Sequence, residues 1–321
     1  MNDKTELIRL QRSFRLAEPF ITGQGLGTPG LWRRNQRRLA PVLFLAPAAI
    51  MFAIFVIIPV VESSRLSLYD WDGLSDPRFV GLGNYVELMR DDPVFWTALK
   101  NNIYWLAAFL VSPAFGLALA LFLNQSGFGM RFVKSLYFMP FVISQVVVGL
   151  MFSWFFNADF GLLNHVLEAL GLPPVALLES ESSATFVIIA AGLWPQVAYC
   201  MILYLTGLTA INPELLEAAR MEGVKGFKLL WHIVLPQLKP ATSIALIVSV
   251  VGALRSFDLV SVMTDGGPYQ SSTVLAYYMY EQTFGAFRIG YGAAIASCLF
   301  FLMDFCIVFY LIRSLPRARS R

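Results

Sequence analysis

Six apolar stretches, each near the length needed to cross a lipid bilayer, constrain this chain more than any other feature. They run roughly over 39–61, 103–123, 136–156, 184–205, 241–263 and 290–312. A hydrocarbon core about 30 Å thick takes about 20 apolar residues in helical form. Inside lipid each segment must satisfy its own backbone polar groups. The runs do not alternate in hydropathy as barrel strands would, so all six read as helices. Charged residues make up 14% of the 321 and hydrophobic ones 57%, against about 25% charged in a soluble domain. The expected class is an all-α integral membrane protein with six transmembrane helices. One polytopic domain over 39–312 is flanked by a basic segment at 1–38 and a basic tail at 313–321.

Orientation follows from the cations, because Lys and Arg accumulate in cytoplasmic loops. With six spans, both termini share a side with the segments 124–135 and 209–240, and that side holds 18 of the 24 Lys and Arg. The other side keeps six: Arg65, Arg78, Arg90, Lys100, Arg255 and Arg288. Both termini are therefore expected in the cytoplasm of a multi-pass plasma-membrane protein. No cleavable leader is expected, since the first apolar run starts late and is long enough to span. Residues 5–16 fit a basic amphipathic helix on anionic lipid, or a solvated tail that only fixes topology.

Several chemistries are excluded. Cys200, Cys298 and Cys306 fall inside the apolar runs and read as packing residues, not a disulfide framework. His165 and His232 fall on opposite sides of the expected membrane, so no histidine metal cluster is expected. A G-x-x-x-x-G-K-[ST] phosphate loop is absent, and no nucleophile, base and metal converge. The chain is read as neither an enzyme nor a nucleic-acid binder, with no cofactor of its own.

Between the fourth and fifth runs lies a polar block of a different kind. Asn212-Pro213-Glu214 is a helix start: Asn caps free amides, Pro fits the first helical position and Glu complements the positive end. Gly223 suits the left-handed position that ends such a helix. A rod of about ten residues, roughly 15 Å long, would offer Glu217 to a partner cation, with Ala218 and Ala219 permitting close approach. The alternative is a loop helix packed on the protein's own membrane domain.

Taken whole, the block Glu217-Ala218-Ala219, Glu222-Gly223 and Ile233-Val234-Leu235-Pro236 resembles the signature loop of permease subunits of ATP-binding-cassette importers. Further matches resemble their carbohydrate-uptake branch: Phe44-Leu45-Ala46-Pro47, Ser67-Leu68-Tyr69-Asp70-Trp71-Asp72, Val80-Gly81-Leu82-Gly83-Asn84-Tyr85, Gly161-Leu162-Leu163-Asn164, Phe257-Asp258 and Thr264-Asp265-Gly266-Gly267-Pro268. Glu222 stands where that family usually has Asp, Val224 where it has Ala, and Leu230 where an aromatic is common. The resemblance implies a type I importer permease fold like the first permease of a sugar system. It implies four kinds of partner: a second homologous permease, two ATPases that hold ATP and Mg, an extracytoplasmic solute-binding protein, and membrane lipid. The rod would be the coupling helix that docks on an ATPase.

A sugar path needs hydrogen-bonding groups and aromatic faces turned into the bundle, because lipid exposure costs too much. Gln196 and Tyr199 lie three apart beside Pro195, on one helical face. Similarity to the family adds Gly192, Ser249, Gly252 and Ala253 as pocket positions. The bland reading is that small residues at this spacing serve close helix packing. Arg255 and Asp258 either pair with each other or, if Arg255 faces the cavity, favour an anionic sugar derivative. The expected cargo is a mono- or oligosaccharide or glycoside. The competing functions are an ion-coupled transporter acting alone, for which the only acids well inside the runs are Asp258 and Asp304, and an importer of a non-sugar solute.

Overall fold

The structure, a computed structural model, describes residues 31–125 and 127–314, with side chains described over 41–125 and 127–313. Expectations for residues 1–30, including a helix at 5–16, and for the tail 315–321 lie outside the described residues. The chain divides into two units between Val60 and Val61. In the first, α1 (Leu31–Phe52) runs into a π-helical turn at Ala53–Ile57. Phe44 and Phe55 are 86% and 67% exposed, as lipid-facing side chains must be. α2 (Ile58–Leu66) spans the division, so that Pro41–Leu66 is long and apolar enough to cross a membrane.

The second unit opens with a small antiparallel hairpin, β1 (Tyr69–Asp70) and β2 (Arg78–Phe79), with Tyr69 opposite Phe79. α3 (Gly83–Arg90) follows, then α4 (Pro93–Leu123), which starts at Pro93 where the sequence placed the span near Ile103. The earlier start has a local cause. Asp92 Oδ1 accepts the Val94 and Phe95 amides at 2.9 and 3.0 Å, with Pro93 in the first position, a complete N-terminal cap.

Two expected spans are broken. The stretch 136–156 is α5 (Met130–Val142) and α6 (Gln145–Phe155), bent by 95°. Ile143 and Ser144 adopt extended dihedrals there, and Pro140 has no N–H to continue the ladder. The stretch 241–263 is α12 (Lys239–Leu254), a break at Arg255, Ser256 and Phe257, and the short α13 (Asp258–Met263). Ser256 Oγ donates to the Gly252 carbonyl at 3.0 Å, taking an acceptor from the end of the helix. Averaged over a span-length window, hydropathy passes over both interruptions, because apolar residues flank each short break. Four helices are long and apolar enough to span, and six spans result only if α5 with α6, and the helical segment 226–237 with α12, each count as one.

The remaining elements are α7 (Leu162–Ala169), α8 (Ala184–Thr209), α9 (Pro213–Met221), α10 (Gly226–Leu229), a π-helical turn at Leu230–Val234, α11 (Leu235–Gln237), α14 (Leu275–Tyr280) and α15 (Ile289–Ser314). The segment 209–240 holds the expected helix near 213–222 and is helical through most of its second half as well, which meets α12 at 72°.

At the centre α4 lies against α8. A Cβ on Gly116 would stand 2.5 Å from Cys200 Cβ and 2.8 Å from the backbone at 200–201, so only glycine permits this approach. Around that seam three apolar clusters form. One centres on Trp105, Phe109, Ile188 and Leu259, another on Leu123, Met201, Tyr204 and Leu238, and the third on Leu88, Leu254, Leu275 and Ile295.

Polar side chains pin the connections. Asn84 Nδ2 donates to the Ser67 and Tyr69 carbonyls at 2.8 and 2.9 Å, and Ser67 Oγ pairs with Tyr85 Oη at 2.7 Å. Asn164 holds Ala158 and Val175 in the same manner. Asn101 Nδ2 donates to Ser271 and Thr273, and Asn102 accepts the Leu275 amide. Asp92 Oδ2 accepts from Tyr278 at 2.6 Å and from Tyr291 at 2.5 Å, joining α4, α14 and α15. Burial, reinforced by that bond to Asp92, pushes the Tyr278 phenol well above its ordinary value, so it stays a donor at any physiological pH.

Gly116→Ala overpacks the α4–α8 seam, which typically costs about 1–3 kcal/mol. The thermal midpoint of the detergent-solubilised protein, followed by intrinsic fluorescence, is expected to fall by several degrees. An unchanged midpoint would mean that the seam relaxes without cost.

Candidate functional site

Beside the α4–α8 seam, where α12 breaks, a cavity of about 300 Å³ opens. α4 contributes Trp105 and Phe109, α8 contributes Gly192 and Gln196, and α6 brings Gln145. The far wall is Val248, Val251 and Gly252 of α12, followed by Arg255, Ser256, Phe257, Asp258 and Leu259. Gly192 leaves the room that Trp105 fills, since a Cβ there would lie 2.8 Å from the indole ring. At Gly252 a Cβ would lie 3.4 Å from both Gln196 Oε1 and Phe109, ordinary contact that would narrow the cavity without displacing anything.

Four of the expected path residues, Gly192, Gln196, Gly252 and Arg255, line this cavity. Ser249 lies one step behind it. Gln196 Nε2 donates to Ser249 Oγ at 3.0 Å, which itself donates to the Ala245 carbonyl at 2.7 Å. Ser112 Oγ lies 3.2 Å from Ser249 Oγ, so a buried polar chain fixes the Gln196 amide. Ala253 is fully buried in the cluster around Trp105. Tyr199 is absent from the lining: its ring packs on Phe141 of α5, with centroids 4.7 Å apart. Three residues separate Gln196 from Tyr199, a rotation of about 300°, and the α8 surface at Tyr199 has already turned toward α5. Arg255 and Asp258, offered as a possible pair, form no ion pair. The two among the described residues are Arg65–Glu62 and Arg288–Glu87.

Trp105, Phe109 and Gln145 went unnoticed in the sequence. The signals were an aromatic pair four residues apart in the second apolar run and a lone amide inside the third.

The polar block forms a second feature. α9 starts as its residues dictate, with Asn212 Oδ1 accepting the Glu214 amide at 3.0 Å and Pro213 in the first position. It ends in a Schellman arrangement: Gly223, at φ +81°, donates to Arg220, and Val224 donates to Ala219, both at 3.0 Å. Nine residues make a rod of about 14 Å. The alanines do not share a role. Ala219 is buried and Leu216 packs on the cluster around Leu208, whereas Glu217 and Ala218 face outward. Leu216 and Ala219 are three apart and so lie on one face, and the expectation that both alanines are open to a partner is corrected for Ala219. Glu222 caps the helix and is exposed. Ile233 and Leu235 are half-buried and Pro236 is exposed, while Val234 and Leu238 make the deep contacts. The π-helical turn at Leu230–Val234 rotates the inward face by part of a turn.

Residues 112–319 match the family described as "Binding-protein-dependent transport system inner membrane component". The chain is 38% identical over 269 residues to the "Probable ABC transporter permease protein YurN" of Bacillus subtilis (strain 168), covering 82% of this chain and 91% of that one. It is 35% identical over 289 residues to the "Sulfoquinovosyl glycerol transport system permease protein SmoG" of Agrobacterium fabrum, covering 88% and 92%. Its fold resembles a solved chain of a bacterial ABC transporter involved in import of the acidic polysaccharide alginate, with a TM-score of 0.76 at 22% identity over 91% of this chain and 99% of that chain.

Gly223→Ala puts a Cβ at φ +81°, which costs about 1–2 kcal/mol. Hydrogen exchange at the last turn of α9 should accelerate roughly tenfold as that end frays, and unaltered exchange would show that the left-handed residue does not hold the rod.

Proposed function

Because the chain belongs to the family of binding-protein-dependent transport system inner membrane components, whose members are transport permeases and not enzymes, we propose the following role for it. It is the translocating subunit of an ATP-driven importer for a sugar or sugar derivative, and works as a multi-pass inner-membrane protein. A second homologous permease completes the pathway, two ATPases bind ATP and Mg, and an extracytoplasmic binding protein delivers the solute. Both termini and α9 face the cytoplasm, as the placement of Lys and Arg indicates.

The observation that carries this reading is the way α9 is presented. Its inner face is clamped by Leu216 and Ala219, while Glu217 and Ala218 are exposed on a rigid, doubly capped rod. A rod held on one side and bare on the other transmits force from whatever grips it. Closure of the ATPases would move α9, and through Leu216, Ile211 and Leu208 the end of α8, on which Gln196 and Gly192 ride. Alternating access then needs two rigid-body states that bind the ATPases differently. Gln196, Gly252 and Gly192 form the path in this reading, with Ser249 orienting Gln196. Gln145 and Gln196 supply amides on a cavity backed by the buried rings of Trp105 and Phe109, a few polar groups on an apolar wall as ligand sites have.

Glu217→Lys reverses the exposed charge of the rod. Loss of one charged interface contact typically costs about 2–5 kcal/mol, so ATP-driven uptake into vesicles should fall at least tenfold, with less ATPase recovered alongside the membrane subunits. Parent-level uptake and assembly would remove Glu217 from coupling. The whole assignment fails if the purified chain, with no partner, concentrates solute.

A further inference from the structure

We propose that Arg255 receives an anionic group on the solute, so that the cargo is a carbohydrate bearing a carboxylate, sulfonate or phosphate and not a neutral sugar. This inference rests on the sugar-importer reading and narrows it.

Arg255 follows directly on α12, whose 16 residues make a helix of about 24 Å. It falls within the fifth apolar run, 241–263. An arginine there is costly unless it is paired or faces a water-filled cavity. Arg255 lines the cavity and is exposed to it, and among the described residues its guanidinium has neither an ion-pair partner nor a hydrogen bond. A purely structural role would show as a bond to the free carbonyls at the α12 C-terminus or as a pair with a neighbouring acid. Neither is present: only the Arg255 backbone N–H caps, donating to Val251, and Asp258 lies on the same wall without pairing to it.

The surroundings suit a charged sugar better than a simple anion. Trp105, 1% exposed, backs the cavity as a packed apolar wall. Asp258 and Gln196 match hydroxyls: the carboxylate accepts from them, and the Gln196 Oε1, near Gly252, remains an acceptor while its Nε2 is held by Ser249. The planar guanidinium fork binds a carboxylate, sulfonate or phosphate through two parallel bonds. Asp258 repels a bare anion, so recognition requires both the charge and the hydroxyls.

The test uses the complete transporter in vesicles with its binding protein and ATP. These are offered a mixture of neutral and acidic sugars from polysaccharide hydrolysates, and the accumulated solute is identified by mass spectrometry. An acidic or phosphorylated carbohydrate is the expected result. Arg255→Gln should then lower its uptake at least tenfold, with Arg255→Lys retaining part of it and both complexes recovered at the parent yield. Accumulation of a neutral sugar overturns the inference and leaves the importer reading standing, whereas accumulation of no carbohydrate overturns both. Arg255→Gln with unchanged uptake, or with loss of the assembled complex, assigns the guanidinium elsewhere, in the second case to an ion pair with a neighbouring subunit.

Discussion

The approach of α4 to α8 is the constraint from which the rest of the structure follows. At Gly116 the two backbones are so close that a single methyl group would collide with Cys200 and its neighbours. In lipid, helix association draws little from the hydrophobic effect and depends on such tight packing. That contact fixes where Trp105 and Phe109 lie relative to Gly192 and Gln196, and therefore where the cavity opens. It also buries Ser112, Ser249 and Cys200 together, which gives the Gln196 amide the partners Ser249 and Cys200.

Motifs that look like functional signatures prove largely to be clamps. Asn84 and Tyr85 bind the residues of the Ser67–Asp72 motif, and Asn164 holds the segment that returns from α7. In the 264–268 block Tyr277 donates to Asp265 at 2.8 Å and Thr264 pairs with Ser272 at 2.8 Å. Each is a polar side chain satisfying backbone or side-chain groups that would otherwise be buried without partners. Such clamps tie the irregular connections to the helices that flank them. Irregular backbone at membrane depth is tolerated only where protein or a cavity receives it.

Between rod and cavity there is one continuous packed path. Leu216 of α9, Ile211 and Leu208 join Tyr204, Met201 and Cys200 of α8, and Cys200 lies 3.6 Å from Ser112 and 3.8 Å from Gln196 Nε2. Tyr204 also donates to Thr242 of α12 at 3.2 Å, so packed contacts run from α9 to both α8 and α12. Contiguity alone does not couple two sites. Coupling requires an element with two arrangements, and the 72° joint before α12, together with the break after it, provides places where such an element can pivot.

Class, span count to within the bent pairs, both ends of the rod and four of the thirteen residues lining the cavity were legible in the sequence. These depend on local rules: a length of apolar chain, Asn and Pro before a helix, Gly after it, a polar side chain where lipid forbids one. Tertiary structure alone decided which face each residue occupies. Ala218 and Ala219 are identical in composition, yet one is bare and the other buried, and Tyr199 turns to Phe141 while Gln196, less than a turn away, meets the cavity. Trp105 and Gln145 entered the site from helices distant in sequence, and the breaks at Ile143 and Arg255 were averaged away in span-length hydropathy. The reason is that hydropathy and capping are written in neighbouring residues, whereas facing is set by helix rotation and by contacts between segments a hundred residues apart.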